Sequence, residues 1–277
     1  MSSWAELVDE QTLRKVCADI DQMPGVQHYD PRECYLQRHE ILAVARKLPK
    51  SGTLLDVGCG TGFVPRYFHY LGAKVISVDF PGTGGLDALK SLMNQGIQGH
   101  YVCVGAEPLP LPDNSIDVVF VGNVIEHLAD SPKAFVADLK RVLKPSGHLI
   151  MDTRNAVDLK ARVKVLWGVS NWTPLETFYE LGFNPHHHKE YTLAELAQLF
   201  GLAGFRNLEP LALECFFQRS LKKFRRLNAT GRNPGEASSF GPGFNPWHPY
   251  EYARILFLLM VKLFPNLRSD IMVIGQK

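Results

Sequence analysis

An apolar run at residues 53–57 breaks abruptly into Gly58, Gly60 and Gly62, and a segment with helical character follows at 63–71. A buried strand delivered into a helix through three glycines commits this part of the chain to a β-turn-α unit. Glycine at such a bend allows a sharp turn and lets a ligand approach main-chain N–H groups without meeting a Cβ. A purely structural turn has the same composition, so the residues that follow have to decide between the two.

A second strand, 74–78, ends in Asp79. An acidic residue at the tip of the second strand of a βαβ unit, roughly 20 residues past the glycines, can accept both hydroxyl hydrogen bonds of a ribose. Glycine turn and Asp79 together predict a nucleoside ligand. A dinucleotide fingerprint spaces its glycines Gly-x-Gly-x-x-Gly, whereas here the third comes one residue early. Asp56 also stands just before the turn, where a carboxylate repels a pyrophosphate but suits a ligand carrying an ammonium and a sulfonium. An NAD-linked dehydrogenase is therefore disfavoured.

The run Leu54-Leu55-Asp56-Val57-Gly58-Cys59-Gly60-Thr61-Gly62 resembles motif I of the class I S-adenosylmethionine (SAM)-dependent methyltransferases. The proline-rich loop at 106–117 and the strand at 118–121 resemble the loop and fourth strand of that family. Gly122-Asn123-Val124-Ile125-Glu126-His127-Leu128 matches its turn after the fourth strand, and Arg141-Val142-Leu143-Lys144-Pro145-Ser146-Gly147 leads into a fifth strand at 147–152. The resemblance implies SAM as cofactor and a Rossmann-like, seven-stranded, mostly parallel sheet with helices on both faces. It implies Asp56, Gly58, Cys59, Gly60, Gly62 and Asp79 around the amino-acid part and ribose, and Phe80 beside the adenine. Gly105 stands where the family often has the Asp that reads the adenine amino group, which leaves Ala106 and Glu107 to serve there. Asn123 and Val124 would line the methyl end, and Arg38 would pair with the methionine carboxylate, as an N-terminal Arg does in related enzymes.

A subgroup in bacterial glycan and cell-surface gene sets is similar beyond the core, through Trp167-Gly168, His188, Lys189-Glu190-Tyr191-Thr192, Glu195-Leu196 and Gly204-Phe205. That likeness implies a hydroxyl acceptor on a saccharide or lipid-linked glycan. A small aromatic or natural-product acceptor, methylated at O, N or C, is the alternative, and a non-catalytic SAM-binding regulator is the rival of another class.

Oxygen and nitrogen acceptors that ionise above neutrality gain from a general base, usually His. His127 follows the fourth strand on the ligand side, and either faces the acceptor or packs the helix beginning there. Glu126 beside it would point elsewhere on a helix. In His186-His187-His188, adjacent side chains diverge, so at most two could share an ion, and no metal site is expected. His187 and His188 are the acceptor-side candidates, against a solvated lid. Thr192 reads as a helix N-cap with Glu195 in the capping-box position.

The 277 residues, 45% hydrophobic, can bury a sizeable core and are expected to form a single domain. Two helices, at 3–22 and 33–48, precede the sheet-forming core at 51–155, and Tyr29 and Tyr35 there belong to either lid or core. A lid insertion at 154–191 carries Trp167, Trp172, Phe178, Tyr179 and Phe183, and a helix follows it at 192–202. A second insertion, 216–268, lies between strands at 208–214 and 270–275. It comprises a basic segment at 219–227, a loop at 228–249 and an apolar helix at 250–264, and is read as a packing or dimer surface, or else a peripheral membrane contact. A net charge of +2 gives no argument for nucleic acid. Five scattered cysteines without a Cys-x-x-Cys pair, and an N-terminus too charged for a signal peptide, suit the cytoplasm.

Overall fold

The computed structural model describes residues 8–23, 34–80, 85–169, 187–215 and 249–277, together with Leu175, Tyr179 and Glu180. Tyr29, Trp172, Phe178, Phe183, His186, the basic segment 219–227 and the loop 228–248 lie outside these residues.

The helices α1 (Glu10–Asp21) and α2 (Tyr35–Lys47) come first, followed by β1 (Thr53–Val57), α3 (Phe63–Tyr70), β2 (Lys74–Asp79), α4 (Gly85–Asn94) and β3 (Gln98–Tyr101). Next are β4 (Ile116–Gly122), a 3-10 turn (Ile125–His127), α5 (Pro132–Val142), β5 (Leu143–Arg154) and α6 (Leu159–Leu166). The chain closes with α7 (Leu193–Leu202), β6 (Arg206–Leu213), α8 (Pro249–Leu263) and β7 (Asp270–Gln276). The seven strands form one sheet in the order β3-β2-β1-β4-β5-β7-β6, parallel except for β7, which runs antiparallel to both of its neighbours.

The alternation of side chains along the central strands sorts the core into two layers. Leu54, Val118, Phe120, Ile150 and Met272 face α1, α2 and α3, whereas Leu55, Val57, Val119, Val121, Leu149 and Met151 face α5 and α7. Burying each such side chain stabilises the fold by about 1.5–3 kcal/mol relative to exposure, which fixes strand register. Tyr35 packs against the first layer and is thus a core residue. Ser131 caps α5 with Pro132 in its first turn, and the expected capping box is complete: Thr192 Oγ1 accepts from Glu195 N, while Glu195 Oε2 accepts from Thr192 N.

The order reverses between β1 and β4, so the carboxyl ends of these strands open a crevice at the switch point. α6 leaves β5 on that side, with Leu166 and Trp167 exposed. On α8, Leu256, Leu259 and Leu263 are exposed. Among the described residues, no helix is long and apolar enough to cross a membrane.

Candidate active site

A cavity of about 580 Å³ fills the crevice, lined by Gly58, Gly60, Asp79, Phe80, Gly105, Ala106, Asn123, Val124 and His127. Eight of these residues are among the expected cofactor positions. Gly58 turns with φ 74°, and a Cβ there would stand 2.3 Å from Val124 Cγ2, so only glycine fits. Gly105 has φ 89°, and its Cβ would lie 2.8 Å from Leu128 Cδ2.

Asp79 closes the rim of the bend. Its Oδ2 accepts from Gly60 N at 3.0 Å and Cys59 Sγ at 3.2 Å, and its Oδ1 accepts from Phe80 N at 2.7 Å. A carboxylate has about four lone-pair sites. One thus remains, and the weak thiol bond is the easiest of the three to displace, which provides for a ribose diol. Burial pushes the Cys59 thiol pKa strongly up, aided by Asp56 and Asp79, so it is a packing group and not a nucleophile.

Five expected cofactor residues lie outside the cavity lining: Cys59, whose thiol packs against Asp79, and Asp56, Gly62, Glu107 and Arg38. Asp56 is buried, its Oδ2 has no partner, and burial followed by the Asp79 and Glu40 charges pushes its carboxyl well above the usual range. An orphaned acid at this point fits a ligand that brings positive charge. Gly62 packs on Arg66 and Leu92, not on open space. Glu107 accepts from Cys103 N and lines an adjoining recess. Arg38 pairs with Glu10 of α1, with Nη2 donating to Oε2 at 2.9 Å, which holds the two N-terminal helices together.

Arg66 braces the glycine turn from beneath, a role the sequence did not disclose. Fully buried, it donates to Thr61 O at 2.5 Å and to Ser91 Oγ at 2.8 Å. Asp152 at the end of β5 does the same for Asn123, which sits at φ 52° and donates Nδ2 to Asp152 Oδ1 at 3.0 Å. Burial raises the Asp152 carboxyl, as do the neighbouring charges of Glu40, Glu126 and Asp270.

A second cavity of about 500 Å³ shares His127 with the first and is lined by Arg154, Asn155, Asp158, Lys160, Lys164, His187, Glu190 and Ser269, among others. The lining is polar and carries three cationic side chains, Arg154, Lys160 and Lys164, against two carboxylates, Asp158 and Glu190. His127 and His187 stand edge to face with centroids 5.1 Å apart. His187 Nδ1 lies 2.9 Å from Glu190 Oε1. His188 is exposed and lines neither cavity. Residues 125–127 form a 3-10 turn, not an α-helix. Against the expectation that Glu126 points elsewhere, one ligand atom of Glu126 and one of His127 lie within 4.8 Å of one another. Glu126 is buried, burial pushes its carboxyl up, and a carboxylate oxygen lies within 4.8 Å of a ring nitrogen of both His127 and His187.

A methyltransferase-domain profile matches residues 55–151. The chain is 35% identical over 126 residues to the ubiquinone biosynthesis O-methyltransferase of Parvibaculum lavamentivorans, 44% of this chain and 49% of that one. It is 31% identical over 209 residues to the malonyl-[acyl-carrier protein] O-methyltransferase of Pseudescherichia vulneris, 75% of this chain and 76% of that one. The chain belongs to the SAM-dependent methyltransferases. Its match spans about half the length of the Parvibaculum protein. A SAM-dependent methyltransferase from Archaeoglobus fulgidus shares the fold, with TM-score 0.53 and 18% identity over 89% of this chain and 97% of that one. As in this methyltransferase family generally, the cofactor is SAM.

Proposed function

We propose that this chain transfers the methyl group of SAM to an oxygen of a polar, negatively charged acceptor. The observation that carries the reading is that His127 lines both cavities, so the polar pocket adjoins the cofactor pocket at one imidazole. The cofactor supplies a methyl carbon made electrophilic by its sulfonium sulfur. Asp79 would accept the ribose hydroxyls, Phe80, Gly105 and Ala106 would flank the adenine, and the Asp56 carboxyl would answer the ammonium. Asn123 and Val124 would line the methyl end, with Asp152 holding Asn123 in its left-handed turn. Arg154, Lys160 and Lys164 would orient the acceptor by its charge. His127 and His187, at the junction, would handle the proton that the acceptor oxygen gives up.

A saccharide hydroxyl near a phosphate, as in a lipid-linked glycan, fits this pocket better than an apolar aromatic ring does. A small carboxylate acceptor is the second reading: the same three cations suit it, and the Pseudescherichia relative is named for a malonyl substrate. A labelled-methyl transfer screen over saccharide, phospholipid-linked glycan and carboxylate acceptors, with mass spectrometry locating the added carbon, separates the two. Labelling of apolar aromatic acceptors alone would contradict the charged-acceptor reading. Tight SAM binding with no transfer to any extract would make the chain a SAM-binding regulator.

A further inference from the structure

Glu126, His127 and His187 come from two separate stretches of chain, yet each offers a ligand atom within 4.8 Å of the others. Glu126 is 1% exposed, and its Oε2 has no hydrogen-bond partner. An unsatisfied buried acceptor is destabilising, and more so when charged, unless a positive group meets it. His187 is aimed by its contact with Glu190 Oε1 at 2.9 Å. With Nδ1–H donated to that carboxylate, Nε2 keeps its lone pair, which is how outer-shell acids orient metal-binding imidazoles. The backbone fixes the approach as well. The carbonyl of Glu126 accepts from His188 N at 2.7 Å, tying the stretch that carries His187 to the turn that carries Glu126 and His127.

We propose that Glu126, His127 and His187 bind a divalent transition-metal ion at the junction of the two cavities. Two imidazoles and one carboxylate suit manganese, cobalt, nickel or zinc better than magnesium or calcium, which prefer all-oxygen shells. Three protein ligands leave coordination positions for water or for an oxygen of the acceptor. That last function rests on the methyl-transfer reading, and in the loaded site a metal-bound hydroxide, not the ligating imidazoles, would take the acceptor proton. The metal site itself does not rest on that reading. An ion here also gives the buried Glu126 Oε2 a partner.

The test uses the full chain, stripped with EDTA and titrated with cobalt(II) while the visible absorption and the heat of binding are followed. The expected result is one saturable equivalent with ligand-field bands. His187→Ala should abolish the bands, and Glu190→Gln should weaken cobalt affinity about 10- to 100-fold. Both variants should keep SAM affinity by calorimetry, which shows that the fold is intact. No saturable signal, or an identical signal in His187→Ala, overturns the site. Methyl transfer that persists in EDTA without cobalt binding removes the site and leaves the methyl-transfer reading standing. Cobalt binding in a chain that methylates no acceptor does the reverse.

Discussion

His127, on the turn after β4, and His187, ahead of α7, meet edge to face with ring centroids 5.1 Å apart. Because the pair stands where the two cavities join, each imidazole is expected to matter to turnover and not to cofactor binding. His127→Ala and His187→Ala should each lower kcat/KM about 10²- to 10⁴-fold. The double variant should lose less than the product of the two, since groups acting as one unit are not additive. Steady-state kinetics with calorimetric SAM affinities checks this. Full additivity would mean that the two rings act separately.

The bend at Gly58 leaves no room for a side chain. Its φ of 74° is strained for an L-residue, and an added Cβ would meet Val124 Cγ2 at 2.3 Å. Gly58→Ala should cost about 2–4 kcal/mol of stability and push Val124 into the cofactor cavity. Thermal denaturation and SAM titration should both report the loss.

Charge in the acceptor pocket should act on binding. Lys164→Glu reverses one of the three cations lining it. KM for a phosphorylated or carboxylate acceptor should rise several-fold, with kcat and SAM affinity little changed and the difference shrinking at high salt. An equal change for a neutral acceptor would contradict an electrostatic role.

Behind the site, burial and then the Asp270 charge push the Glu40 carboxyl from 4.5 up to about 8. An acid whose pKa is higher folded than unfolded holds its proton preferentially in the native state, so the unfolded chain binds fewer protons across that interval. Stability should therefore be greatest near pH 4.5 on this account, fall as pH rises towards 8, and level off above it. Glu40→Gln should flatten the slope in urea titrations run across that range. A slope that survives the substitution would point to Asp56 or Asp152, whose carboxyls burial also raises.

Much of the sheet and the cofactor crevice could be read from sequence, because both depend on local patterns. The apolar runs, the glycines and Asp79 specify strand, bend and rim whatever lies elsewhere. The capping box at Thr192 and Glu195 is similarly local, and it formed as expected. Arg38 escaped this logic because its partner, Glu10, lies on another helix, and an exposed-looking Arg carries no mark of an ion pair. The cluster of Glu126, His127 and His187 was hidden for two reasons. Adjacent side chains on a helical turn diverge, so Glu126 and His127 do not read as one site, and nothing in the sequence announces that the Glu126 carbonyl will tie down the backbone at His188. Arg66 and Asp152 support the site through buried bonds to main chain and to Asn123. Their positions, on α3 and at the carboxyl end of β5, were the available signal.

The central claim is that the bend at Gly58 and Gly60, closed by Asp79, holds the nucleoside part of SAM. Calorimetric titration of SAM into the native chain and into Asp79→Ala, with thermal melts confirming that both are folded, tests it most directly. Losing charge-assisted bonds worth about 1.5–3 kcal/mol should weaken binding roughly 10- to 100-fold. An Asp79→Ala chain that binds SAM as tightly as the native one would contradict the account.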